Sequence, residues 1–142
     1  MTGEFAIAVH ALVFLNHMQK TVSSEALAAN VCTNPARIRK VMSKLKRAGM
    51  LKTKEGAEGG YYFCGEAEKV SLLMVLDALQ QNSIDDCWRS GDPDMECMIA
   101  SGMANVMDGI YQRMNDVCGK ELAQISISDI DQKIFHKDLL EK

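Results

Sequence analysis

The sequence lacks most of the marks of an enzyme or an exported protein. It has no C-x-x-C pair, no nucleophile elbow, no glycine loop for phosphate after a strand and no paired catalytic carboxylates on a recognisable frame. A thiol oxidoreductase or a hydrolase is therefore the least favoured reading. Residues 5 to 15 are apolar, but His10 interrupts them, no basic stretch precedes them and they fall short of a bilayer's thickness. Neither a signal peptide nor a membrane span is expected, and the protein reads as cytoplasmic. Five cysteines is an odd number, which argues against an obligatory disulfide framework and for reduced thiols. His10, His17 and His136 show no ligand spacing, so no metal is expected. Internal repeats and low-complexity segments are absent as well.

What is present suits one compact domain, or a small domain with an oligomerisation arm, since 142 residues with 47% hydrophobic content can bury a real core. Acid is missing from one stretch. Between Asn34 and Lys54 stand Arg37, Arg39, Lys40, Lys44, Lys46, Arg47, Lys52 and Lys54 with no Asp or Glu among them, although the whole chain carries 16 basic and 19 acidic residues. One face attracts polyanions while the remainder repels them, so an acidic protein can bind DNA in one orientation. A solvated basic helix is the plainer alternative.

Periodicity places that stretch. Phe5, Ala8, Val9, Leu12 and Leu15 predict a first amphipathic helix, and Ser23 caps a short second one over 24–29. Residues 30–33 read as a turn. Asn34-Pro35 starts a third helix, in which Ile38, Val41, Met42, Leu45 and Ala48 form the buried stripe, Arg37, Lys40, Lys44 and Arg47 the opposite face with Arg39 and Lys46 flanking, and Gly49 the stop. A short helix, a four-residue turn and a basic helix make the layout of a helix-turn-helix. Strands over 50–53 and 61–64, joined by a loop containing Gly56, Gly59 and Gly60, read as a β-wing able to follow a DNA backbone closely. An ordinary hairpin is the alternative.

Ser71 caps a fourth helix with Leu72, Val75, Leu76 and Leu79 on its apolar face. The acidic link Asp85 to Glu96 follows. Asp92-Pro93 predicts the start of a long helix running to Cys118, with Gly119 as its stop and Met95, Ile99, Met103, Val106, Ile110, Met114 and Val117 as its stripe. Such a helix is longer than a winged domain needs. An isologous homodimer is expected on Ile99, Gly102, Met103, Val106, Gly109 and Ile110, the glycines allowing close approach; packing within one chain is the alternative. A last short helix is predicted over 128–135. The fold class is thus mainly α with a small β-wing, with a winged helix-turn-helix domain over 1–82 and a linker, long dimerisation helix and C-terminal helix over 83–142.

The run Leu27-Ala28, Asn34-Pro35, Leu45-Lys46-Arg47-Ala48-Gly49-Met50-Leu51, Gly56, Gly59-Gly60-Tyr61 and Val70 to Leu76 resembles the Rrf2 family of bacterial transcription regulators. The resemblance implies a dimeric repressor that sets each basic helix in a major groove and each wing near a minor groove of an imperfect palindrome in double-stranded DNA. It implies base and near-base contacts from Asn34, Ala36, Arg37, Arg39 and Lys40, phosphate contacts from Lys44, Lys46, Lys52 and Lys54, and a wing formed by Gly56, Gly59 and Gly60. Two departures matter. Glu55 stands where many relatives carry Arg, and Glu58 adds a second acid, which leaves Lys54 as the wing's cation. Cys32 stands where a helix-turn-helix often has Gly, which implies strain if the turn needs positive φ.

Several relatives hold an iron-sulfur cluster on three cysteines. Here Cys87 and Cys97 are candidates in the link, but Cys118 is about 31 Å from Cys97 if one unbroken helix joins them, so no iron-sulfur cofactor is expected. Redox sensing by Cys97, Cys87 and Cys118 is the favoured signal, with Cys97 near a helix N-terminus that favours thiolate while Asp94 and Glu96 oppose it. Cys32 and Cys64 read as small buried core thiols. A regulator that senses a small molecule, and a winged helix used only for protein contacts, stay open.

Overall fold

The computed structural model describes residues 1–85 and 87–136. Helix α1 (Gly3–Met18) is central: Ile7, Ala8, Ala11, Leu12, Val13 and Leu15 are buried, and Thr2 caps its first turn. Helices α2 (Ser24–Val31) and α3 (Pro35–Arg47) pack against it and against each other. Strands β1 (Leu51–Lys54) and β2 (Gly60–Phe63) pair antiparallel, with Leu51 opposite Phe63 and Lys54 opposite Gly60. Helix α4 (Leu72–Ala78), long helix α5 (Met98–Leu122) and helix α6 (Ile127–Phe135) complete the chain.

One core unites these elements. Leu12, Leu15, Leu27, Ile38, Met42, Leu45, Leu51 and Ile127 are almost fully buried, and no described polar side chain is buried without a hydrogen-bond partner. Ile127 belongs to that core because the C-terminal segment returns to the N-terminal half. Leu72 donates its amide to Ile125 O and Ile127 donates to Val70 O, each within 2.9 Å. Ser126 then starts α6 with a reciprocal capping box to Asp129, and α6 packs on α1.

Several boundaries differ from the sequence expectation. Helix α2 continues to Val31, so the turn before Asn34 is only Cys32-Thr33. The long helix starts at Met98 instead of Pro93, because Asp92 closes a local turn: its carboxylate accepts from Asp94 N at 2.9 Å and its carbonyl from Met95 N at 3.1 Å. Met95 thus lies off the helix, and Cys97 is its N-cap. At the other end the helix passes through Gly119 to Leu122, where α4 packs against it and Leu73 approaches Gly119. Glycine lowers helix propensity, but tertiary packing overrides that here.

The segment before α5 folds back along the same helix, antiparallel to it. Ile84 exchanges backbone hydrogen bonds with the Asn115 side chain at 2.6 and 3.2 Å. Arg89 pairs with Asp108 and donates to Asn105. Asp92 N donates to Ala100 O at 3.0 Å, and Gly91 sits so close to Ala100 that any side chain there would overlap its carbonyl. This strap covers the side of α5 bearing Ala100, Asp108 and Asn115, which recur at helical spacing.

Candidate nucleic-acid interface

Helix α3 is positioned by its own sequence at both ends. Asn34 Oδ1 accepts from Arg37 N at 2.8 Å, Pro35 fills a position where an amide would be wasted, and Gly49 leaves the helix with φ +81°. Ile38, Val41, Met42 and Leu45 anchor one side in the core. At about 100° per residue the opposite side carries Ala36, Arg39, Lys40, Ser43 and Arg47, and all five are exposed. This ridge corrects the expected one: Arg39 joins Lys40 and Arg47 on it, while Arg37 and Lys44 turn to the flank, where Gly3 and Glu4 of α1 meet them.

The eight basic residues fall into separate groups. Arg39, Lys40 and Arg47 belong to the ridge, with Arg39 Nη1 3.5 Å from Ser24 Oγ of α2. Arg37 and Lys44 lie on the flank facing α1. The Arg37 guanidinium rests against Gly3, where a methyl group would come within 2.8 Å of it. Lys44 Nζ is 3.0 Å and Lys40 Nζ 3.2 Å from the carboxylate of Glu4. These two cations hold the Glu4 carboxyl below the ordinary range, Lys44 most strongly, against the opposing effect of burial. Lys46 lies on the other flank and donates to Thr53 Oγ1 in β1 at 2.9 Å. Lys52 and Lys54 are exposed on the opposite face of the hairpin from Thr53, as strand alternation requires.

The wing is built on two glycine conformations. Gly56 has φ +108°, and Gly60 has φ +155° and lies so close to the Val22 carbonyl that any Cβ would overlap it. That approach lets Val22 and Tyr61 exchange backbone hydrogen bonds at 2.8 Å, which fixes the hairpin to the segment before α2. Glu55 and Glu58 are exposed at the tip beside Lys54. Glu4 and Ser24, neither of which stood out in the sequence, therefore shape the basic surface. Only the fold brings them beside it.

Helix α5 differs from every other long element. In 25 residues it buries none, while Ile99, Val106 and Val117 remain 70%, 60% and 68% exposed. These three share the side away from the strap with Met103, Ile110 and Met114. Gly102 and Gly109 have open space where a Cβ would stand.

The cysteines correct one expectation. Cys32 is exposed and not a core thiol: it is the C-cap of α2 at φ +67°, which the short turn demands. Cys64 is half-buried, its thiol 3.5 Å from Gly49 O. Cys87 and Cys97 are exposed and Cys118 is half-buried. The amide of Ala100, then that of Ile99, pulls the Cys97 thiol below its ordinary range at the open first turn of α5. The Cys87 thiol donates to Asp85 O at 3.3 Å, and its nearness pushes the Tyr111 phenol up.

The family model described as "Rrf2: Iron-dependent Transcriptional regulator" matches residues 1–133. The HTH-type transcriptional regulator YwnA of Bacillus subtilis (strain 168) is 29% identical over 95% of this chain and 99% of its own length. A transcriptional regulator from Lactobacillus plantarum has a crystal structure that superposes with a TM-score of 0.82 at 23% identity, covering 96% of this chain and 92% of that one. CymR of B. subtilis, the global cysteine regulator, superposes with a TM-score of 0.67 at 16% identity, covering 93% and 95%.

Iron would need converging ligands. Among the described residues no group of three Cys, His, Asp or Glu side chains is placed to hold a metal ion. Cys97 and Cys118 stand at the two ends of most of α5, so the cysteines of one chain do not fit a shared cluster. Among the described residues no helix is long and apolar enough to cross a membrane. The fold, the basic helix beside a glycine hairpin and the match over nearly the whole chain lead to one conclusion: this protein belongs to the Rrf2 family of winged helix-turn-helix, DNA-binding transcriptional regulators, and not to a class of enzymes.

Proposed function

We propose that this protein acts in the cytoplasm as a homodimeric repressor that recognises an imperfect palindrome in double-stranded DNA and responds to thiol oxidation. The observation that carries the DNA-binding geometry is the outward ridge of α3, on which Arg39, Lys40 and Arg47 stand free of the core anchored by Ile38, Val41, Met42 and Leu45. In this reading residues 1–82 hold the DNA-binding surface, and 83–142 supply the strap, the assembly helix α5 and the returning helix α6. Asn34, Ala36, Arg37, Arg39 and Lys40 lie at the end of α3 that enters the major groove. Lys46, Lys52 and Lys54 contact phosphates, joined by Lys44 when it leaves Glu4, and the backbone at Gly56, Gly59 and Gly60 follows the neighbouring groove.

Ile99, Gly102, Met103, Val106, Gly109 and Ile110 form the two-fold contact. Twenty-five helical residues without a buried side chain call for a covering surface, and an identical copy supplies a self-complementary one. Selection of bound fragments from random duplexes tests the whole reading. Recovered sites are expected to carry inverted half-sites about one helical turn, or a multiple of it, apart. Only unrelated asymmetric sequences would count against it.

The signal is assigned to Cys97 and Cys87, with Cys118 as the less accessible candidate and Cys32 added by its exposure. Oxidation of two thiols to a disulfide by a peroxide or another disulfide removes two electrons and two protons, and relocates the strap that carries Cys87. Replacing Cys97 and Cys87 by Ser is expected to abolish oxidant-induced release of DNA. Unchanged release in that double variant rejects the assignment. A second reading, in which the signal is a small molecule, is favoured by an apolar groove of about 770 Å³ between α1 and α6, lined by Phe5, Val9, Phe14, Leu72, Ile130 and Phe135. Thermal stabilisation by an apolar ligand with no effect of oxidant would select it.

A further inference from the structure

Glu4 occupies the first turn of α1, 3.2 Å from Lys40 Nζ through Oε1 and 3.0 Å from Lys44 Nζ through Oε2. Each carboxylate oxygen therefore holds one ammonium group of the recognition helix. Gln81, just past α4, fixes the acid from the other side by donating to Oε2 at 3.3 Å. The Gln81 carbonyl oxygen in turn accepts from the amide and hydroxyl of Thr2 at 3.3 and 3.1 Å. The Glu4 side chain is only 14% exposed, so its charge is screened less than that of a free surface acid.

A lysine that binds phosphate must exchange one anion for another. Where a fixed carboxylate already lies at hydrogen-bond distance, the phosphate gains only the difference between the two contacts. The group of Lys40, Lys44 and Glu4 also presents a net single positive charge in place of two. We propose that Glu4, bridging Lys40 and Lys44, withholds Lys44 from the DNA backbone and so lowers the affinity of this protein for duplexes of any sequence. This rests on the reading of α3 as the recognition helix.

The experiment measures binding of the full-length protein to an operator-containing duplex and to a scrambled one across a salt series. Glu4→Gln keeps the shape and removes the charge, with Glu68→Gln as a control for net charge alone. One additional phosphate contact steepens the plot of log K against log salt by about 0.9, and near 0.1 M salt the affinity gain is on the order of tenfold. The gain is expected to be equal on both duplexes, absent from Glu68→Gln, and reversed when Lys44→Gln is added to Glu4→Gln. Lys44→Gln made in the otherwise unchanged protein is expected to lower affinity by less than the same substitution made beside Glu4→Gln, because Glu4 holds the lysine in the first case and phosphate holds it in the second.

Unchanged affinity and slope in Glu4→Gln overturn the proposal. So does a tenfold loss with a shallower slope in Lys44→Gln alone, which shows the lysine already on phosphate and does not depend on how Glu4→Gln folds. Arg39→Ala separates the two levels. If it weakens binding while Glu4→Gln is silent, only the role of Glu4 falls; if Arg39→Ala and Arg47→Ala both leave binding unchanged, the reading of α3 falls with it.

Discussion

Cys32 takes a left-handed backbone, φ +67°, to close the tight turn between α2 and α3. A side chain other than glycine is strained there by about 1–2 kcal/mol, part of which is recovered because glycine loses more freedom on folding. Cys32→Gly is therefore expected to raise the unfolding free energy by about 0.5–1 kcal/mol; a lower urea midpoint would show that the Cys32 side chain contributes more than its strain costs. Gly60 reverses that logic. A methyl group there overlaps the Val22 carbonyl, whereas Gly49, also at positive φ, has open space. Gly60→Ala should cost clearly more stability than Gly49→Ala and should release the hairpin, visible as faster amide exchange at Val22 and Tyr61.

Glu4 gives the residue scale its pH dependence. Its folded pKa is depressed, so the stability it contributes is present above its unfolded value and lost as pH falls through the lower folded one. Acid unfolding below about pH 4 is expected to be shallower in Glu4→Gln than in the unmodified protein. Coincident acid limbs would contradict the ion pairs as drawn. The three groups meet only because α1 and α3 cross, so no spacing in the chain reveals them.

At the scale of elements, α3 was largely legible and α5 only in part. The cap, the proline and the apolar stripe of α3 are local signals; the cap and the proline operate as the sequence implied, and the stripe holds from Ile38 to Leu45, whereas Ala48 stands exposed as the C-cap because the helix has ended. The start of α5 misled because Asp-Pro serves a turn as readily as a helix, and here the Asp92 turn donates to Ala100. The strap decides which side of α5 is free. From Ile99 to Val117 the open side runs about 27 Å at the usual helical rise. Val106→Glu, at the middle of that side, is expected to convert the sedimenting species to a monomer and to weaken operator binding while leaving the monomer's fold intact. A dimer that persists in sedimentation would relocate the interface. Arg89→Ala should instead loosen the strap, raising exchange at Ile84 without changing the mass.

For the whole molecule, the same open helix predicts linked folding and assembly. A dimer that forms only from folded chains has a thermal midpoint that rises with protein concentration. Scans over a hundredfold range should show that rise for the unmodified protein and a constant midpoint for Val106→Glu. The charge distribution acts at this scale too: an acidic body with one basic side orients the approach to DNA, and added salt should slow association and hasten dissociation.

The amino-acid sequence by itself determined what depends on neighbours along the chain. Helix caps, apolar periodicity, the acid-free interval and the glycine loop are set by residues a few positions apart, and from them came the winged helix-turn-helix and the family. Tertiary structure alone decided which cations are free, since Glu4 meets Lys40 and Lys44 across 36 and 40 residues, and which side of α5 lies open, since the strap covers the other. Coulomb attraction and steric exclusion act through space, and only the folded chain fixes those distances.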